Sequence, residues 1–205
     1  MRAGAIAQNE LTIPRRRIIC RAQDLIDSVL FVCEGWAASL VTLPNGDRQI
    51  LSFLLPGDIV SSALLFRPNP SCLVETITEV TCRSFDRTEF TSKATAELGA
   101  LSVLWIGEKE GADRLAIDLG RRTAEERIAR LILSLMERLA TRGLAQGATM
   151  DFPLRQHHVA DATGLTPVHV SKLLTDFRRR GLIRISDRSL EIVDDVALRR
   201  IAGLR

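Results

Sequence analysis

The apolar positions of this chain change period twice, and each change marks a change of architecture. From about residue 15 to 92 they fall in short runs, Ser28 to Cys33, Ala38 to Leu43, Gln49 to Leu54, Val74 to Ile77 and Cys82 to Phe85, with no helical period. Runs of this length bounded by turn residues predict strands. Pro44-Asn45-Gly46-Asp47 and Pro56-Gly57-Asp58 supply turns, and Gly35, Gly46 and Gly57 recur eleven residues apart. Such spacing suits a barrel or jelly roll. From about Ala94 to Arg121 the period becomes helical, with Leu98, Leu101, Leu104 and Trp105, then Glu108, Ala112, Leu115 and Leu119 along one face. The early turns are too apolar for an exposed connector, which predicts a seam between two copies of the chain; a helix packed on its own roll is the alternative.

A further helix opens at Glu125-Glu126, carries the stripe Ile128, Leu131, Ile132, Leu135 and Leu139, and ends near Arg142-Gly143 ahead of a Gly/Gln/Ala linker. Residues 153–193 then hold two short amphipathic helices around Gly164-Leu165-Thr166-Pro167. In the first, about Arg155 to Thr163, Val159 and Ala162 are expected to face inward, with Arg155, Gln156 and His157 outward near its N-terminus, where a helix dipole favours an anion. In the second, Thr166 is an N-cap, Pro167 takes the first helical position, and Gly181 closes the C-terminus. Val170, Leu173, Leu174 and Phe177 form its buried stripe, leaving Val168, His169, Ser171, Lys172, Thr175 and Arg179 free. A short helix presenting small polar and cationic groups suits a major groove. Leu182-Ile183-Arg184-Ile185 and Leu190-Glu191-Ile192-Val193 flank Ser186-Asp187-Arg188-Ser189, an alternation that predicts a two-stranded wing. The bland alternative is a helical hairpin on a small sheet.

Charge sharpens this division. Residues 1–120 hold 12 Lys/Arg against 15 Asp/Glu, whereas residues 121–205 hold 16 against 10. A basic half on a slightly acidic one points to a polyanion as partner of the second half alone. At 205 residues and 46% hydrophobic, the chain has room for two modest domains. It contains no run of about 18 apolar residues, which predicts a cytoplasmic protein without membrane contact. Cys20, Cys33, Cys72 and Cys82 include no C-x-x-C pair and are expected to be buried thiols.

Roll, long helix and winged helix-turn-helix, in that order, resemble the Crp/Fnr family of bacterial transcription regulators. The resemblance is carried by Gly35, Asn45-Gly46-Asp47, Pro56-Gly57-Asp58, Gly120-Arg121-Arg122-Thr123-Ala124-Glu125-Glu126-Arg127, and Val159-Ala160-Asp161-x-x-Gly164-Leu165-Thr166-Pro167-Val168-His169-Val170-Ser171-Lys172. It covers nearly the whole chain and implies an α+β fold: residues 1–95 a sensor-like β-roll of the cyclic-nucleotide-binding kind, 96–122 a dimerisation helix, and 123–205 a winged helix-turn-helix. It further implies a homodimer binding a roughly palindromic operator in double-stranded DNA, the two recognition helices about one helical turn apart, with RNA polymerase as a further partner.

Site residues follow from the same resemblance. The base-contacting positions fall on Pro167, Val168, Ser171 and Lys172, with His169 at a backbone-contacting one; Thr166 caps the helix beside them, and Arg155, His157 and Arg179 are expected at phosphates. Ser171-Lys172 resembles the Ser-Arg pair of the Fnr-type branch. Where that branch has a glutamate, Val168 stands, which cannot accept from cytosine N4 but packs against a thymine methyl. Other departures argue against cofactors, and none is assigned. The glutamate and Arg-Ser pair of cyclic-AMP-binding members correspond to Ser62, Cys72 and Leu73, which offer a phosphodiester no charge-assisted partner. Cys20 and Cys33 are too few for the cysteine cluster of the iron–sulfur branch. The first half has no histidine for haem, leaving only Cys72 and Cys82 as ligands. His157 and Asp161 lack a third metal ligand, and no phosphate loop or nucleophile–base set suggests an enzyme. The competing function is a small-molecule, haem or redox sensor whose DNA contact is vestigial.

Overall fold

A computed structural model describes residues 9–95 and 98–204, with the backbone alone at residues 93–95, 98–101, 103 and 104. The chain divides into two compact units, Met1–Asp113 and Arg114–Arg205. No helix among the described residues is long and apolar enough to cross a membrane.

The first unit contains seven strands: β1 (Asn9–Ile13), β2 (Ile18–Cys20), β3 (Ser28–Glu34), β4 (Ala37–Thr42), β5 (Arg48–Leu54), β6 (Leu73–Thr76) and β7 (Val80–Asp86). They form two antiparallel sheets, ordered β1-β7-β3 and β2-β6-β4-β5. Apart from the β4–β5 hairpin, neighbours in each sheet are not consecutive in the chain, which gives the roll its crossovers. Its core gathers Leu30, Val32, Ala37, Leu54, Val74 and Val80 with Cys20 and Cys82. On β7, Val80, Cys82 and Ser84 are buried in alternation, as one face of a strand requires.

Phe85 extends the other way and joins Phe31 and Phe90, with ring centroids 5.4–5.9 Å apart. Phe90 belongs to α1 (Arg87–Thr95), whose first turn is capped by the Asp86 carboxylate accepting from Glu89 N at 2.9 Å. Helix therefore begins seven residues before the expected Ala94, and α2 spans Leu98–Arg121. Apart from Phe90, α1 is polar, so it carries no stripe that a period could reveal. Of the expected seam, Leu98, Leu101 and Leu104 lie outside the described side chains. Trp105 is 68% exposed and Leu115 is half-buried; Ile106 and Ile117, outside the expected face, are exposed.

The second unit comprises the last turns of α2 with α3 (Ala124–Ala140), β8 (Thr149–Asp151), α4 (Gln156–Thr163), α5 (Pro167–Arg179), β9 (Ile183–Ser186), β10 (Ser189–Ile192) and α6 (Asp195–Ile201). A capping box opens α3: Thr123 Oγ1 accepts from Glu126 N, and the Glu126 carboxylate accepts from Thr123 N at 2.8 Å. Ile128, Ile132, Leu135 and Leu139 are buried as expected; Ala129 and Leu133 join them, while Leu131 is only half-buried. The segment expected as a linker after Gly143 instead turns into β8, which pairs with β10, so the wing is a three-stranded sheet of order β8-β10-β9. Three residues and a tight Gln146–Thr149 bridge were too short to register as a strand.

Two core features generate tests. Gly35 has φ +84, and a Cβ there would lie 2.0 Å from Glu79 O, whereas Gly46, at φ +89, faces open space. Gly46→Ala is expected to cost about 1 kcal/mol for the left-handed backbone alone, and Gly35→Ala clearly more, read as the shift in denaturant midpoint. Burial pushes the Cys20 thiol up to about 12 and the Cys82 thiol to about 11, from 9.0. At pH 8 a maleimide should therefore label half-buried Cys33 well before the three buried cysteines. The unfolded chain ionises these thiols from about pH 9 while the folded one does not. Their contribution to stability is thus intact below pH 9 and lost as pH rises towards 11–12. The denaturant midpoint should fall across that window, and less steeply in a Cys20→Ala/Cys82→Ala variant.

Candidate nucleic-acid interface

An arginine side chain from α3 ties the C-terminus of α4, the first helix of the site, to the end of α2. Arg127 donates through Nε to Arg122 O at 3.0 Å, through Nη2 to Leu119 O at 2.9 Å and through Nη1 to Thr163 O at 3.1 Å. One guanidinium thus satisfies carbonyls at the ends of α2 and α4, where helices leave acceptors without intrahelical partners. Arg130 does the same between Asp118 Oδ1 and Ala202 O, at 2.9 and 3.1 Å. The sequence motif contained Arg127 without indicating this role.

From Thr163 the chain turns through Gly164 in the left-handed region, φ 65, with its N–H on Ala160 O. A Cβ here would come 3.0 Å from Leu119 Cδ2, so both backbone and packing favour glycine. Thr166 then caps α5, its Oγ1 accepting from His169 N at 3.3 Å, and Pro167 follows at the first helical position. Gly181, at φ +71, follows the last turn. The expected boundaries of α5 hold because these local rules agree with one another. Val170 and Phe177 are buried; Leu173 and Leu174 are half-buried. In α4 the inward positions are Val159, Ala160 and Thr163 rather than Val159 and Ala162, since Ala162 is only half-buried. Arg155 is the residue before α4, and its N–H donates to His158 Nδ1 at 3.0 Å.

Val168, Lys172, Thr175 and Arg179 form one exposed stripe along α5, with Ser171 half-buried beside it and His169 exposed to one side. Val168 is 65% exposed. Ser171 and Pro167 join Arg155, Gln156, His157 and Arg178 around an open cleft of about 540 Å³ between α4, α5 and β9. Thus the structure brings all nine expected site residues onto adjoining surfaces of one helix pair. Arg179 differs from the rest in its charge: it pairs with Asp176, which also holds Arg180 at 3.1 Å. The bonded Arg180 and the nearby Arg179 keep the Asp176 carboxyl below its usual range. Lys172 and Arg178 make no ion pair among the described residues, so their charges are uncompensated. Arg178 and Gln156 were absent from the expected site residues; both line this cleft. The wing tip is a two-residue loop, Asp187 and Arg188, both left-handed at φ 47 and 65, as a tight hairpin requires.

In the first unit, the three positions that correspond to a cyclic nucleotide's ligands hold no cation. Cys72 is buried with Sγ 2.8 Å from Ser39 Oγ, Ser62 donates to Glu108, and Leu73 is a half-buried residue of β6. A buried phosphodiester does not fit this set.

Comparison with known proteins agrees with this division. Residues 10–96 match the model of the cyclic nucleotide-binding domain, and residues 126–201 that of the Crp-like helix-turn-helix domain. The nitrogen fixation regulation protein FixK of Bradyrhizobium diazoefficiens is 32% identical over 185 residues, covering 88% of this chain and 76% of that protein. FixK of Rhizobium meliloti is likewise 32% identical, over 93% of this chain and 85% of its own. The solved structure of FixK2 from Bradyrhizobium japonicum superposes with a TM-score of 0.81 at 27% identity, over 94% of this chain and 96% of that one.

Arg127→Met should remove three charge-assisted bonds and leave carbonyls of two helix ends unsatisfied. A loss of roughly 3 kcal/mol is expected in the unfolding of the second unit, measured by denaturant titration.

Proposed function

Because this chain belongs to the Crp/Fnr family of transcription regulators, we propose that it binds a roughly palindromic operator as a homodimer, with α5 of each protomer in a major groove and Val168, Ser171 and Lys172 at base edges. The observation that carries this reading is the stripe on α5: a doubly capped helix whose outward face offers an unpaired ammonium, a hydroxyl and an exposed valine. Arg155, His157 and Arg178 flank it as phosphate contacts, with Thr166, Pro167 and His169 at the entering end. Arg179, shared with Asp176, contributes less field than a free arginine. Val168 in place of glutamate favours thymine over cytosine at its base pair, so the half-site differs from that of glutamate-bearing members.

Dimerisation through α2 is supported by its exposed Trp105, with half-buried Leu115 on the same side of the helix. The protein acts in the cytoplasm, with RNA polymerase as its expected protein partner at a promoter. It works without cyclic AMP or an iron–sulfur cluster: Ser62, Cys72 and Leu73 supply no phosphate ligand, and Cys20 is buried with a thiol pushed up to about 12. Its relatives are transcription regulators rather than enzymes.

Reading and positioning are separable by experiment. Lys172→Ala should cost about 1–3 kcal/mol on the best site and relax preference at one base pair per half-site. Arg155→Ala should weaken binding to every sequence alike and lower the salt slope by about one unit. Equal losses on specific and random duplexes for Lys172→Ala would make it a backbone contact and displace α5 from this alignment. For the dimer, Trp105→Asp with Leu115→Asp should yield monomers in sedimentation; a double variant that stays dimeric excludes this face as the seam.

A further inference from the structure

We propose that Gln156 is a positioning residue for base reading: its side-chain amide biases the Ser171 hydroxyl towards donating to DNA, so that a base edge presenting an acceptor is favoured beside Ser171. This rests on the reading of α5 as the groove helix. Gln156 is the first residue of α4, and its Nε2 donates to Ser171 Oγ at 3.1 Å across fifteen residues of sequence. Both side chains line the cleft between α4, α5 and β9. Among the described residues, Gln156 is the only hydrogen-bond partner of the Ser171 hydroxyl.

A serine hydroxyl has one proton to give and two lone pairs to receive with, and on its own it rotates to suit whatever it meets. A serine inside a helix also tends to turn back onto the carbonyl four residues earlier, here that of Pro167. Gln156 restricts both freedoms. Its N–H occupies one lone pair and holds the oxygen at the cleft, which leaves the hydroxyl proton and a single lone pair and so weights the group towards donation. In the major groove the acceptors are guanine O6 and N7, thymine O4 and adenine N7, whereas cytosine N4 and adenine N6 are donors. Ser171 held in this way favours guanine or thymine at its position and disfavours cytosine. The polarity is set by a residue on the neighbouring helix, one that makes no base contact itself.

Polarity can be inverted by changing one atom. In Gln156→Glu the carboxylate only accepts, so it takes the Ser171 proton and turns the lone pairs towards the groove. The full-length dimer and duplexes randomised at each half-site position provide the assay, with thermal melting to confirm that each variant is folded. The wild type should show one position whose preference disappears in Ser171→Ala. Gln156→Ala should cut the preference ratio at that same position about tenfold, the loss of one hydrogen bond's discrimination, while affinity for random duplex stays within about threefold. Gln156→Glu should weaken all binding through its charge, yet shift the residual preference at that position towards adenine or cytosine. In the Ser171→Ala background the shift should vanish. The proposal is overturned if folded Gln156→Ala weakens every duplex equally with its profile unchanged, since Gln156 is then a backbone contact. It is also overturned if Gln156→Glu leaves the preferred base as in the wild type. A wild type with no positional preference at all removes the regulator reading itself, an outcome distinct from either of these.

Discussion

The guanidinium of Arg127 is the constraint on which the placement of the recognition helix depends. Carbonyls at a helix C-terminus carry partial negative charge and lack intrahelical partners. Arg127 collects three of them, from two helix ends, and Arg130 reaches the end of α6. Both arginines project from α3, whose own start is fixed by the Thr123–Glu126 box. The Arg127 bond to Thr163 O ends α4 one residue before the left-handed Gly164, and the cap of α5 follows two residues later. A lysine could neutralise the same dipoles but could not span three acceptors in one plane. The tolerance on groove reading is therefore set on the side of the unit away from the stripe that would meet DNA.

Charge on the second unit is sorted rather than merely abundant. Glu125 and Asp176 absorb Arg180, and Asp176 also takes Arg179, while Arg184 pairs with Glu191 across the wing. These pairs are exposed and add little to stability. Around α5 their effect is to leave Lys172 and Arg178 as cations without an ion pair among the described residues. A count of basic residues in the second half overstates the number of cations free to meet a phosphate, and the pairing shows which ones remain.

Legibility in the sequence followed how local each determinant was. The helix-turn-helix was almost fully readable because its signals, an N-cap threonine, a first-turn proline, a left-handed glycine and a 3.6-residue stripe, all lie within a few residues of the geometry they fix. Strands β3, β4 and β5 were legible for the same reason. β1 was not: its residues are mostly exposed, so an edge strand pairing only with β7 shows no alternation of burial. α1 depends on one phenylalanine meeting two others from distant strands, and β8 on a partner about forty residues away. At the site, the stripe of α5 was visible, but the Gln156–Ser171 bond was not, since it spans fifteen residues and two helices; the loss of Arg179 to Asp176 is an i,i+3 pair that helix spacing allows. Ala160 rather than Ala162 faces inward because α4 is only eight residues long and its orientation is set by its neighbours.

The buried thiols carry one more implication. Three of the four cysteines sit inside the roll, two of them with their protons held far more tightly than in water. Folding therefore acts as a chemical shield: the native roll gives oxidants little thiolate to attack, and the opened chain regains ordinary reactivity at several sites at once. Under oxidising conditions each transient opening is then a chance for a non-native cross-link that blocks return. The lifetime of the roll in such conditions is governed by how often it opens, a kinetic property, rather than by the free energy that separates folded from unfolded chains.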